Sequence, residues 1–181
     1  LVGKGVYYCA VCDGPFYKGQ EVAVIGDANT ALQYAVLLSG YCKKVYVYTL
    51  FDKFFGDESL VKALRAKENI EVRPDTSVTD FIGGEELTAI EYTDKDGNVC
   101  RHELPAVFVA IGQVPDNAAF ADVAELDKDG YIVADESCRT RTAGVFAAVD
   151  CRTKAVRQVS TAVGDGAVAA TNASLYLESL A

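Results

Sequence analysis

The chain has 181 residues, half of them apolar and 24% charged, with a formal net charge of −9. That profile suits a water-soluble globular protein of one or two domains. It argues against a surface of clustered Lys and Arg, so nucleic acid is not an expected partner, and no apolar run reaches the roughly 18–20 residues of a membrane span.

Glu21–Ile25 is a short apolar run ending at Gly26 and reads as a buried strand. Asn29–Ser39 follows with Ala31, Ala35 and Leu38 at helical spacing and stops at Gly40. Lys44–Tyr48 predicts a second strand, and 57–67 a second helix with Asp57 or Ser59 as its cap. Ile70–Val72 completes a βαβαβ pattern, half of a dinucleotide-binding fold. Val78–Phe81, Leu87–Tyr92 and Val99–Glu103 then predict an antiparallel meander turned at Gly83-Gly84 and Asp96-Gly97-Asn98. Ala106–Ile111 returns to a buried sheet and is broken at Gly112 and Pro115. Beyond it the sequence predicts a hairpin-like stretch at Gly130–Val133, a strand at Val145–Ala148 and a last helix over 160–180. The fold class is α/β, with one domain over residues 1–106 and a second over 107–181.

Of six cysteines, at 9, 12, 42, 100, 138 and 151, only Cys9 and Cys12 have a spacing with chemical meaning. Zinc would need a second ligand pair, and the lone His102 stands far from any such pair, so no metal is expected. Two thiols three residues apart near the start of a helical turn can close a small disulfide, and helix-terminal N–H groups favour the thiolate needed for exchange. The spacing alone also suits metal sites and thioredoxin-like domains. Asp13, next in sequence, is a candidate acid/base.

The order Cys9-Ala10-Val11-Cys12-Asp13-Gly14, then a strand-Gly-helix crossing, resembles the low-molecular-weight thioredoxin reductases. That resemblance implies a flavoprotein in which the dithiol carries electrons from FAD to a thioredoxin-like protein, with Cys12 nearer the flavin. Which thiol attacks the partner stays open. Gly14-Pro15-Phe16 resembles the related flavoprotein reductase of the alkyl hydroperoxide system, which serves a peroxiredoxin. A reading of another class is a non-catalytic module that senses redox state or binds a nucleotide.

Gly26-Asp27-Ala28-Asn29-Thr30-Ala31 stands where a glycine-rich turn would admit a pyrophosphate to the helix end. Gly26 and Ala31 match the family's G-x-G-x-x-A, but Ala28 replaces the second glycine and Asp27 adds negative charge. The family's NADPH users carry a basic H-R-R run after the second strand, where this chain has Tyr48-Thr49-Leu50. Ordinary use of NADPH or NADH is therefore not expected, and ferredoxin or another non-pyridine donor is the first expectation, ahead of a pyridine nucleotide and of no activity.

Residues 107–115, including Gly112, resemble the segment that re-enters the flavin domain, and residues 144–150 resemble that domain's G-V-F-A-A-G-D. By that resemblance Asp150 meets the ribityl chain of FAD, and Arg157, Gln158 and Val159 lie beside its ring. Val149 replaces a glycine there. The resemblance also implies that the family's flavin-binding amino-terminal half precedes Leu1, that the longer protein is a homodimer, and that residues 1–181 alone are inactive. The expected location is cytoplasmic, since the cysteine usage reads as intracellular.

Overall fold

The segment Glu21–Ile25 buries its side chains on both faces, as strands of an all-parallel sheet do when each face is covered. Val22 and Val24 enter one apolar cluster and Ala23 another, so the two-residue period of the strand supplies both. The computed structural model describes residues 1–181 and forms two units, Leu1–Gly112 and Gln113–Ala181.

The first unit holds a five-stranded parallel sheet of β1 (Val6–Tyr7), β2 (Glu21–Ile25), β3 (Lys44–Tyr48), β4 (Ile70–Arg73) and β8 (Val107–Val109), in the order β1-β8-β2-β3-β4. The remaining strands, β5 (Ser77–Gly83), β6 (Leu87–Thr93) and β7 (Val99–Glu103), form an antiparallel sheet. On one face of the parallel sheet, α2 (Asn29–Ser39) buries Ala31, Leu32, Ala35 and Leu38 against Val22, Val24, Val45, Val47 and Phe108. On the other face Ala23, Tyr46, Tyr48 and Val107 meet Leu87, Ile90 and Leu104. Helix, parallel sheet and antiparallel sheet thus make three layers, built from the βαβαβ pattern and the meander that the sequence predicts.

A polar seam crosses the two sheets. Arg73 donates to the hydroxyls of Tyr48 at 3.2 Å and Tyr92 at 2.9 Å and bonds Glu71 at 3.1 Å. The lone His102 lies edge-on to Tyr46 at 4.3 Å and shares a hydrogen bond with Tyr48; burial and the Arg73 charge hold its basicity below the usual imidazole value.

Three details differ from the sequence expectation. Helix α3 runs Glu58–Arg65 rather than 57–67; Asp57 stands at its N-cap, as expected, but makes no side-chain cap hydrogen bond. The Asp57 carboxylate is taken instead by the Asn29 carboxamide at 3.1 Å. Strand β8 pairs with both β1 and β2, so Val107–Val109 belongs to the sheet of the first unit, which ends at Gly112 rather than at 106.

In the second unit, the expected strand at Val145–Ala148 is reduced to a bridge between Phe146 and Arg139. Cys138 at φ +60° and Val149 at φ +65° turn the chain at either side and end the pairing. Gly130–Val133 is hairpin-like as expected: Ile132 bridges Leu126 antiparallel across the turn, the Asp127 N–H donates to the Tyr131 carbonyl and the Val133 N–H to the Glu125 carbonyl, each at 2.8 Å, and Ile132 also bridges Arg152. The last helix, α4, spans Val159–Glu178, close to the expected 160–180. No helix is long and apolar enough to cross a membrane.

Candidate active site

The short helix α1 (Ala10–Asp13) exists because Cys9 leaves β1 extended, at φ −135° and ψ 101°, and caps the following turn. Its sulfur accepts the Cys12 N–H at 3.2 Å, an interaction that a thiolate would strengthen. Cys9 and Cys12 are joined as a disulfide with their Cα atoms 5.3 Å apart. Cys12 is exposed and Cys9 half-buried, and Tyr8, Val11 and Phe16 surround the pair with exposed apolar surface. Asp13 closes the turn by donating its N–H to the Cys9 carbonyl at 3.1 Å, so its carboxylate is carried on the same turn as both sulfurs.

Packing fastens that turn to α2. Ala10 is fully buried in the cluster that holds Leu32, Ala35 and Leu38. Gly14 permits the close approach: a Cβ there would fall 2.3 Å from the Tyr41 hydroxyl and 2.8 Å from Leu38. The Tyr34 hydroxyl, on α2, donates to the Tyr8 carbonyl at 2.9 Å. Below the turn the Tyr7 and Tyr17 hydroxyls meet at 2.8 Å, and burial, with Tyr7 beside it, pushes the Tyr17 phenol well above its usual value.

At the β2–α2 turn, Gly26 adopts φ +141°, and a Cβ there would strike the Ala110 carbonyl at 2.3 Å. No other residue type fits that conformation and contact. Ala28, by contrast, sits at φ −110° in the extended region open to any residue, so the fold itself does not require a glycine there. Its methyl is exposed at the start of α2, as is Thr30, while Ala31 is buried. Asn29 is half-buried and turned to the following loop: its carboxamide oxygen accepts the Asp57 N–H at 2.7 Å and its nitrogen donates to the Asp57 carboxylate. The Asp27 carbonyl accepts the Phe55 N–H at 2.7 Å, so the loop after β3 is laced to the turn.

That loop presents Leu50, Phe51 and Phe55, at 59%, 47% and 54% exposure. Phe51 and Phe55 meet edge to face at 5.2 Å, and the one nearby cation, Lys53, lies over the Phe55 ring at 5.2 Å. The exposed side chains of this loop are thus mainly apolar, and no arginine stands among them.

The second unit carries the other candidates. Gly112, exposed at φ +95°, ends the first unit. A cleft of about 490 Å³ is lined by residues 113–117, Tyr131, Asp150 and Cys151. Arg157 stacks on Tyr131 at 4.0 Å and donates to the Asp150 carbonyl at 3.2 Å, which leaves the exposed Asp150 carboxylate at the cleft. Gln158 caps α4, its N–H donating to Thr161 Oγ1 at 3.1 Å, and Val159 projects at 80% exposure. An anionic or polar group reaching the start of α4 would meet N–H groups and the positive end of a 20-residue helix. The cleft, the Asp150 carboxylate and that helix end suit part of a flavin site.

The candidates thus fall into three groups: Cys9, Cys12 and Asp13 on α1; Gly26 and Ala28–Ala31 at the β2–α2 turn; and Asp150 with Arg157, Gln158 and Val159 in the second unit. Two features had no sequence signal. Tyr34 is one. The other is Asp165, buried on α4, whose carboxylate accepts from Arg152 through two nitrogens at 2.8 Å each, from Lys154 at 2.9 Å and from the Val149 N–H at 3.0 Å. Arg152, then Lys154, hold that carboxyl far below the usual carboxylate range.

A family model described as pyridine nucleotide-disulphide oxidoreductase matches residues 1–166. A thioredoxin reductase of Listeria innocua is 37% identical over 182 residues, a match covering 99% of this chain and 57% of that protein. The crystal structure of thioredoxin reductase from Streptococcus pyogenes superposes with a TM-score of 0.90 at 34% identity, over 97% of this chain and 58% of that one. A ferredoxin-flavin thioredoxin reductase from Clostridium acetobutylicum superposes at 0.53 with 29% identity, over 99% of this chain and 57% of that one. The chain therefore spans a little over half the length of these relatives. With a family model matching most of its residues, and a cysteine pair closed as a disulfide beside a nucleotide-type fold, the chain belongs to the pyridine nucleotide-disulphide oxidoreductase family.

Proposed function

We propose that the protein is a thioredoxin-reductase-like disulfide reductase in which the Cys9–Cys12 pair passes electrons from FAD to the disulfide of a thioredoxin-like protein. The observation that carries this reading is the Cys9–Cys12 disulfide, closed at a helix N-terminus with Cys12 exposed. FAD, when bound, supplies two electrons. The Cys9–Cys12 bond takes them up and opens to a dithiol, with two protons. One thiolate attacks the partner's disulfide and forms a mixed disulfide. The other then displaces the partner's second sulfur and re-forms the Cys9–Cys12 bond, so the partner leaves with two electrons and two protons. To Asp13, on the same turn, we assign the holding and release of a proton. In the second unit, Asp150 and the start of α4, with Arg157, Gln158 and Val159, are the groups we assign to orienting the flavin.

The donor follows from the loop after β3. Leu50, Phe51 and Phe55 offer no cation to a 2′-phosphate, and Asp27 adds negative charge at the turn, so we assign the electron supply to ferredoxin or another protein rather than to NADPH. The similarity to a ferredoxin-flavin thioredoxin reductase supports that assignment. The test is anaerobic reduction of the flavin-containing protein, with thioredoxin disulfide present, by NADPH, NADH and reduced ferredoxin in turn. Thioredoxin thiols formed with ferredoxin but not with the nucleotides are the expected result. Rapid flavin bleaching by stoichiometric NADPH would overturn the donor assignment, and bleaching by any donor without thioredoxin thiols would overturn the reductase reading.

A further inference from the structure

Helix α1 has four residues, too few to hold its own shape, so the geometry of Cys9 depends on what grips the chain around it. Ala10 on one side is buried against α2. On the other side the peptide before Cys9 is gripped from α2 as well: the Tyr34 hydroxyl donates to the Tyr8 carbonyl at 2.9 Å. The residue before Cys9 is thus held by a side-chain oxygen of α2 and the residue after it by packing on the same helix. Tyr34 lies at the edge of the apolar cluster, so its ring is held while its hydroxyl is spent on the redox turn.

We propose that Tyr34 is a positioning residue for the redox pair: its hydroxyl holds the backbone just before Cys9 and so sets the balance between disulfide and dithiol. This rests on the reading of Cys9–Cys12 as the working redox couple. When the disulfide opens, the covalent ring that keeps Cys9 at the helix cap is lost. The Cys12 N–H, now 3.2 Å from the Cys9 sulfur, can stabilise a thiolate only while the cap geometry persists. In the disulfide form the covalent ring already holds the turn, whereas in the dithiol form the Tyr34 bond is what keeps Cys9 at the cap, so the bond is worth more in the reduced form and favours it. Nothing in this role requires Tyr34 to touch the flavin or the partner.

The test is equilibration of the protein with glutathione, in which two glutathione thiols become one glutathione disulfide as the Cys9–Cys12 bond takes two electrons and two protons. The dithiol fraction is read by alkylation and mass. Tyr34→Phe keeps the ring and removes only the hydroxyl; Tyr7→Phe removes a nearby hydroxyl that bonds Tyr17 rather than the redox turn, and serves as the control. Tyr34→Phe is expected to lower the equilibrium constant for reduction about two- to fivefold, the worth of one half-exposed hydrogen bond, with Tyr7→Phe unchanged. An unchanged constant in Tyr34→Phe, or an equal shift in both variants, overturns the positioning role while leaving the redox reading intact. A wild-type pair that never exchanges with glutathione overturns both.

Discussion

The Asp165 carboxylate accepts the Val149 N–H at 3.0 Å and thereby fastens a β-branched residue in the left-handed region, at φ +65°. That conformation costs an L-residue roughly 1–2 kcal/mol, and a glycine adopts it freely. Val149→Gly is therefore expected to stabilise the second unit by about 1 kcal/mol, after allowance for the extra freedom of glycine in the unfolded chain. Denaturant unfolding of the two forms checks this. A destabilised glycine variant would mean that the 42%-exposed valine side chain contributes packing that outweighs the strain.

Asp165 itself gives the second unit a pH dependence. Its carboxyl is held far below the ordinary value by Arg152 first and by Lys154 next. A carboxylate whose folded affinity for protons is depressed adds stability above its unfolded pKa of about 3.9 and loses it as pH falls below that value. The thermal midpoint should therefore hold steady down to about pH 4 and fall progressively below it, and Asp165→Asn should flatten that fall. At neutral pH the same substitution should cost about 3 kcal/mol, because it leaves two nearly buried cations without their partner.

Gly14 packs against Leu38 of α2 and Tyr41 just beyond it, with the Tyr41 hydroxyl 2.3 Å and the Leu38 methyl 2.8 Å from a Cβ placed there. Gly14→Ala is expected to destabilise the first unit by about 1–3 kcal/mol, in the range of overpacking in a filled core. It should also raise the rate at which Cys9 and Cys12 are reduced by dithiothreitol, since a displaced turn exposes the pair. Unfolding curves and reduction kinetics read the two effects separately.

The loop after β3 allows a gain-of-function test. Leu50 and Phe51 are exposed where a 2′-phosphate would be met, so Leu50→Arg with Phe51→Arg supplies two cations without disturbing a buried group. NADPH affinity, measured by calorimetry, should rise at least about tenfold, the effect of one charge-assisted hydrogen bond. NADH affinity should stay the same. Equal gains for both nucleotides would show that the arginines act as general counter-charges.

The first unit was legible because its signals are long and mutually consistent. Glu21–Ile25, Asn29–Ser39 and Lys44–Tyr48 have the bounds their apolar runs predict, with Gly26 and Gly40 as stops. Cys9 and Cys12 could be read from spacing and order alone, and they are joined. The second unit was less legible. Val145–Ala148 has the composition of a strand, yet positive φ at Cys138 and Val149 ends its pairing, and neither residue type announces that conformation. Asp165 finds Arg152 and Lys154 across a loop, a relation with no periodicity to betray it. Tyr34 was silent for a similar reason: its ring follows the helical pattern of α2, and only the fold shows that its hydroxyl ends at the Tyr8 carbonyl.

The most direct test of the central claim is thioredoxin-disulfide turnover by the flavin-containing protein with Cys12→Ser, beside the wild type and with the same electron donor. The account predicts that the flavin is still reduced by that donor while thioredoxin reduction is lost, because the pair can no longer carry two electrons. Thioredoxin turnover at the wild-type rate in Cys12→Ser would contradict it and place electron transfer outside the Cys9–Cys12 pair.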